Sequence, residues 1–395
     1  MEWMVTWDQL DNVQRDAIVS IEDSSKHCIW IEGFAGSGKT LILVNLVKRA
    51  ISNGESVCFI SFTHALKDLV LTGFTNEEIR KITISTVCSF INNCNDNSSF
   101  DWIFLDETQD IKSDQLYKIN QHAKKHLILA GDPNQSIYQN KISEIELRAF
   151  PDESPIVLKK VYRLTEKIKK VATVIYPKSN ILASQSPPIN STLKRGSDVF
   201  YFKAISPLEE VKFVKSKADD ISAPGKPCVI LLPSHETIRL FISYYFKIIG
   251  FNFKVSENEI IKYDLFNDFC SKHSLNIRYF GNGYGDLSLS DTKPIVYFMT
   301  YHSAKGLDFD TVFIPFLDNE TVHKGLSKVV GSDQELFNRV MYVATTRSRY
   351  DLILSYNTDC PVPFVTELQK KGLLSKLAKT EESDFDDENS DDDIF

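Results

Sequence analysis

The string GFAGSGKT, Gly33 to Thr40, lies between an apolar run, HCIWIE, and a helix-like segment, LILVNLVKRA. Gly-x-x-x-x-Gly-Lys-Thr in the order strand, loop, helix makes a cradle for phosphate oxygens. Glycines let backbone N–H groups turn inward, so Gly33, Ala35, Gly36, Ser37 and Gly38 would line a triphosphate. Lys39 would reach the β and γ phosphates, and the Thr40 hydroxyl would ligate Mg²⁺. A second run, DWIFLDETQD, ends in two carboxylates, Asp106 and Glu107. Ligands of open α/β sheets gather at the carboxyl ends of strands, so this pair should face the same phosphates. Asp106 would hold the metal, and Glu107 would orient and deprotonate an attacking water. The following run, HLILAGDPNQSIY, puts Gln135 where it could sense the γ-phosphate. Chemistry of this kind is ATP hydrolysis; no Asn-Lys-x-Asp base-reading motif follows to favour GTP.

Positioning these groups requires buried parallel strands. HCIWIE, SVCFISF, ITIST, DWIFLD and HLILAG are apolar throughout, as strands covered by helices on both faces must be. A second series follows: DVFYFKA, PCVILLP, PIVYFMT, DTVFIPF and DLILSY, separated by helical stretches such as PLEEVKFVKSKADDI and HETIRLFISYYFKII. Two consecutive α/β domains are expected, residues 1–150 and 151–378, with a seam near Phe150 to Pro155. The Ser/Pro-rich stretch 181–197 reads as a loop of the second domain, and residues 379–395 as a disordered acidic tail.

At 395 residues and 43% apolar content the chain can build such cores. Its apolar runs fall short of a membrane span, and its start lacks a signal-peptide pattern. Seven scattered cysteines without a C-x-x-C pair suggest free thiols in a reducing cytoplasm. The net charge of −8 is dominated by the last fifteen residues, which carry nine carboxylates and leave the rest at +1. An acidic balance therefore does not exclude a nucleic-acid partner.

Together these segments resemble superfamily 1 helicases of the UvrD/Rep type, over residues 7 to 356 and in the family's motif order. LDNVQRDAI is similar to the Q motif, SFTHALKDL to motif Ia, ITISTVCSF to Ib, DETQD to II and GDPNQSIY to III. VYRLTEKI is similar to motif IV, MTYHSAKGLDFDTVFIP to V, and FNRVMYVATTRSR to VI. The resemblance implies two RecA-like P-loop NTPase domains closing around ATP. It places Gln14 on the adenine edge, Tyr162 stacked on adenine, Gly306 near phosphate and Asp308 near the ribose. Arg163 and Arg347 would be arginine fingers supplied by the second domain, stabilising charge on the transferred phosphoryl group. It also implies single-stranded DNA across both domains, RNA remaining open, with 3′-to-5′ movement. Phe62 and Tyr138 would stack on bases, while Thr63, Thr86, Lys141, Thr300 and His302 would meet the backbone.

Three departures stand out. Asn140 and Lys141 occupy the places of a Trp-Arg pair after SIY, and Asp308 replaces the usual glutamate. Only about twenty residues separate Thr86 from Asp106, and about 130 separate Arg163 from motif V. Larger relatives carry accessory subdomains in both intervals; the first is missing here, and any second would be small and lie within residues 195 to 290. ATP hydrolysis is thus a firmer expectation than unaided duplex unwinding, and a nucleic-acid-stimulated switch subunit is the alternative. The tail ends DDDIF, resembling the tips of single-stranded-DNA-binding proteins; Ile394 and Phe395 could anchor in a partner's basic-rimmed pocket. It could instead cover the chain's own nucleic-acid groove, or serve only for solubility.

Overall fold

The computed structural model describes residues 3–95, 98–186, 198–251 and 262–378. The acidic tail, Ile394 and Phe395 included, lies outside the described residues, as do residues 187–197 of the expected loop. Two all-parallel sheets organise the rest.

The first sheet comprises β1 (Cys28–Gly33), β2 (Val57–Ser61), β3 (Ile82–Thr86), β4 (Phe100–Leu105), β5 (Ala123–Gly131) and β6 (Ile156–Leu158). Their order is β3-β2-β4-β5-β1-β6. The second comprises β7 (Val199–Lys203), β8 (Cys228–Leu232), β9 (Ile277–Tyr279), β10 (Val296–Thr300), β11 (Phe309–Ile314), β12 (Ser348–Tyr356) and β13 (Ser375–Lys376). Here the order is β13-β7-β12-β11-β8-β10-β9. All ten strands expected from apolar runs are present, because parallel strands buried on both faces leave an uninterrupted apolar signature. The additional strands β6, β9 and β13 span only two or three residues each. Pairing of Ile31 with Ile156 keeps the chain in the first sheet through Leu158. Between residues 198 and 290, every described strand belongs to the second sheet.

Helices cover both faces of each sheet, and local chemistry sets where several of them start. Asp11, Thr63, Thr165, Ser206 and Ser234 each accept a backbone N–H from the first turn of the helix they precede. One apolar cluster runs through the inner faces of both sheets and joins Leu66 and Ile137 to Tyr301, Leu307 and Val340. The lobes therefore meet over a shared core. Among the described residues no helix is long and apolar enough to cross a membrane. All seven cysteines are free.

Candidate functional site

The Gly33–Thr40 loop joins β1 to the helix Lys39–Ser52, turning through Gly36 and Gly38 at φ 75° and 88°. These left-handed angles favour glycine, and so does crowding. A Cβ on Gly36 would lie 2.6 Å from Arg163 Cβ, and one on Gly38 would lie 2.6 Å from Gln14 Nε2. Thus Arg163 and Gln14, distant in sequence, both press on the loop. Ala35 and Ser37 are buried in it, and a Cβ on Gly33 would collide with the Ser37 hydroxyl. Ser37 Oγ and Arg163 Nε are buried without a hydrogen-bond partner among the described residues. Two orphaned donors at a glycine loop are what a phosphate group would satisfy. Lys39 Nζ meanwhile donates to the carbonyls of Gly33 and Phe34, at 2.8 and 3.2 Å.

Asp106, at the end of β4, accepts a 2.5 Å hydrogen bond from Thr40 Oγ1. Burial, then the neighbouring Glu107 charge, pushes its carboxyl up to about 6. No group of three or more His, Cys, Asp or Glu able to hold a metal occurs among the described residues. A hard divalent cation between Thr40 and Asp106 would take its other ligands from phosphates and water, the usual habit of Mg²⁺.

Glu107 sits at φ 57°, a left-handed setting uncommon for a residue with a side chain, and is buried. Gln109 Nε2 donates to its carboxylate at 2.5 Å, and Lys305 Nζ lies 3.3 Å away. Burial alone would raise this carboxyl, but Lys305, Lys39 and Arg347 outweigh it and hold it below the ordinary value. Gln135 donates to Asp132 at 2.9 Å and accepts from Arg347 Nη2 at 2.8 Å. Arg347 is 1% exposed, and its other donors reach the carbonyls of Val343 and Leu307. Arg163, five residues after β6, and Arg347, directly before β12 of the second sheet, therefore both reach groups of the first lobe.

Lys305 lies inside the motif V string but is not among the residues singled out there, yet its side chain is fully buried between Glu107 and Asp110, with an ion pair to each. Burial drives its ammonium down to about 8. Asp110 also accepts from Ile137 N at 3.0 Å, so this cluster ties DETQD, GDPNQSIY and HSAKG together. Asp11 caps Gln14 N at 2.9 Å, bonds the Tyr162 hydroxyl and accepts from Lys160 at 2.7 Å, walling the loop beside Gln14. Tyr162 N donates to Gly36 O at 2.9 Å, so the expected adenine ring lies next to the loop.

Two expected nucleotide contacts have other neighbours. Gly306 packs on Leu66, where a Cβ would stand 3.2 Å from the leucine methyls. Asp308 lies between Arg349 at 2.7 Å and Arg163 at 3.4 Å. Burial opposes the Asp308 charge, but Arg349 and Arg163 prevail and hold its carboxyl at about 2. A carboxyl lowered from 3.8 on folding contributes stability above that pH and loses it as pH falls toward 2. Asp308→Asn should therefore cost about 2 kcal/mol at neutral pH, and the deficit should shrink between pH 4 and pH 2. Urea titrations at stepped pH measure this; a deficit independent of pH would contradict it.

Also at the lobe junction, Phe62 and Tyr138 rings lie 4.8 Å apart, and His302 adds a third ring 5.5 Å from Tyr138. Burial takes the His302 imidazole down to about 4, and its Nε2 has no partner among the described residues. Thr63 and Thr86 accept from Leu66 N and Ser89 N, and Thr300 accepts from Ser303 N, so each hydroxyl caps a turn. Lys141 is set apart from this group. It donates to Ser136 O at 3.3 Å in a half-buried position, where burial and then Arg339 lower it to about 8.

Two family models match this chain. The viral superfamily 1 RNA helicase core domain covers residues 29–178, and the UvrD-like helicase C-terminal domain covers residues 281–359. Together the two matches support a superfamily 1, UvrD-like helicase. Among relatives of these helicases, ATP-dependent DNA helicase PcrA of Bacillus subtilis is 29% identical over 136 residues, 32% of this chain and 18% of PcrA. DNA helicase II of Haemophilus influenzae is 28% identical over 155 residues, 36% of this chain and 20% of the relative. Arterivirus nonstructural protein 10 (helicase) with DNA aligns at 15% identity over 88% of this chain and 63% of its own, with TM-score 0.41. The UvrD-like match to the curated relatives thus spans about a fifth of their length.

Proposed function

We propose that this chain is a nucleic-acid-dependent ATPase that moves along single-stranded DNA, in the 3′-to-5′ sense its resemblance implies. The observation that carries the reading is the convergence of Arg163 and Arg347 on first-lobe groups, at Gly36 and Gln135. In this reading the triphosphate lies on the Gly33–Thr40 loop, its γ-phosphate between Lys39 and the two guanidiniums. Thr40 and Asp106 would hold Mg²⁺, which would neutralise charge on the phosphates. Glu107 takes a proton from a water whose oxygen attacks the γ-phosphorus while the bond to the ADP oxygen breaks. Arg163 and Arg347 stabilise charge spread over the transferred group. Because the site is built from both lobes, each turnover is coupled to lobe closure, and Phe62, Tyr138 and His302 at the same junction move with it.

A narrower reading, an ATP-driven switch subunit that does not unwind duplexes alone, is supported by the lack of extra strands among described residues 198–290. The acidic tail would then be the partner contact. Phosphate release with and without single-stranded DNA or RNA tests the main reading: several-fold stimulation is expected, and identical rates would sink it. A forked duplex in the same reaction separates motor from switch, since only the motor displaces a strand.

A further inference from the structure

Directly after β9, the chain makes the turn Gly281-Asn282-Gly283-Tyr284-Gly285, at the outer edge of the second sheet. All three glycines take left-handed angles, and Gly281 and Tyr284 exchange backbone hydrogen bonds of 3.0 and 2.9 Å. The turn is seated on the HSAKG segment: a Cβ on Gly281 would stand 3.0 Å from Ser303 Oγ and 3.1 Å from the Tyr279 hydroxyl. Ser303 Oγ in turn accepts from Thr300 at 2.9 Å. Tyr279 is buried, with its hydroxyl beside Ser303.

Beside the turn lies an aromatic stack. Tyr263 and Tyr279 are parallel with centroids 3.4 Å apart, and the Tyr263 hydroxyl pairs with His235 Nδ1 at 2.6 Å. The exposed His235 ring also meets Asn282 Nδ2 at 3.4 Å. Tyr284 completes the group, 6.1 Å from Tyr263 and 42% exposed.

We propose that this turn is a second contact for single-stranded nucleic acid, with Tyr284 as a base-stacking ring and Asn282 and His235 beside it. The inference rests on the nucleic-acid reading above and extends its path across the second lobe. Three features favour that ligand. The carboxyl ends of β8, β9 and β10 share one edge, so a strand held at Thr300 meets Ser303 and Asn282 next. The exposed Gly283, with nothing within 4 Å of where a Cβ would stand, lets a sugar-phosphate backbone approach closely. An exposed ring among uncharged hydrogen-bonding groups suits stacking without base choice. Asp286, two residues beyond Tyr284, is turned onto Ser288 N and Oγ at 2.8 and 2.7 Å.

The test uses the full chain and fluorescein-labelled oligothymidylate and oligouridylate, followed by anisotropy. Tyr284→Ala should weaken binding about 5- to 150-fold, with Tyr284→Trp near the parent value and unstimulated ATPase unchanged. Irradiation with an iodouracil-containing oligonucleotide should give an adduct at Tyr284. Equal affinities for parent and Tyr284→Ala, or adducts confined to Phe62 and Tyr138, would overturn the inference and point instead to a protein partner for the ring. A parent protein that binds neither oligonucleotide would overturn the nucleic-acid reading itself.

Discussion

Arg347→Ala should lower nucleic-acid-stimulated ATP turnover by about 10³- to 10⁵-fold while nucleotide still binds. The guanidinium is 1% exposed and donates to Val343 O, Leu307 O and Gln135 Oε1, at 2.9, 2.9 and 2.8 Å. Burial and the charge of Arg163 both act against its ionised form, so the protein holds two cations together at a cost. A developing phosphoryl charge between them would relieve that repulsion, and the benefit appears only in the transition state. Lysine cannot reproduce three donors in one plane, so Arg347→Lys should recover little. Because Arg347 also ties the lobes, thermal melting must accompany the kinetics. A variant that melts normally and still turns over within tenfold of the parent would remove Arg347 from the chemistry.

Glu107→Gln should cost about 10²- to 10⁴-fold in turnover, the range of a lost general base. Its amide keeps the shape and can still accept from Gln109, which now bonds the carboxylate at 2.5 Å. What disappears is the charge that pairs with Lys305 and Lys39. Nucleotide affinity, read with a fluorescent ATP analogue, should hold or rise as one negative group leaves the phosphate site. Loss of binding and turnover in parallel would instead assign Glu107 to positioning. Running both variants against the same oligonucleotide separates lobe coupling from water activation, because Glu107 belongs to the first lobe and Arg347 to the second.

Much of this site could be read before any coordinates. Gly33 to Thr40, the Asp106-Glu107 pair and Gln135 announce themselves because each chemical task needs particular residue types at the end of an apolar run. Lys305 could not be recognised that way. Its motif string does not say what it would pair with, and its importance arises when the second lobe buries it against Glu107 and Asp110. Asp308 has a related history: its ion pairs with Arg163 and Arg349 come from three separate segments. Lys141 read as a backbone contact because it follows SIY closely, whereas its surroundings at the junction depend on Arg339 from a distant helix. The turn at Gly281 to Gly285 is plain as a glycine cluster, but its seat on Ser303 is set by the pairing of β9 with β10.

By itself, the sequence determined the two parallel α/β lobes, the phosphate loop and the two acids at its mouth. Those follow from short-range rules: apolar runs of strand length, glycines that admit left-handed turns, and carboxylates at strand ends. Only the tertiary structure decided which charges meet. Ion pairs such as Lys305 with Asp110 and hydrogen bonds such as Arg347 with Gln135 join residues far apart along the chain. Their strength depends on the removal of water when the lobes close, a quantity that no stretch of sequence carries alone.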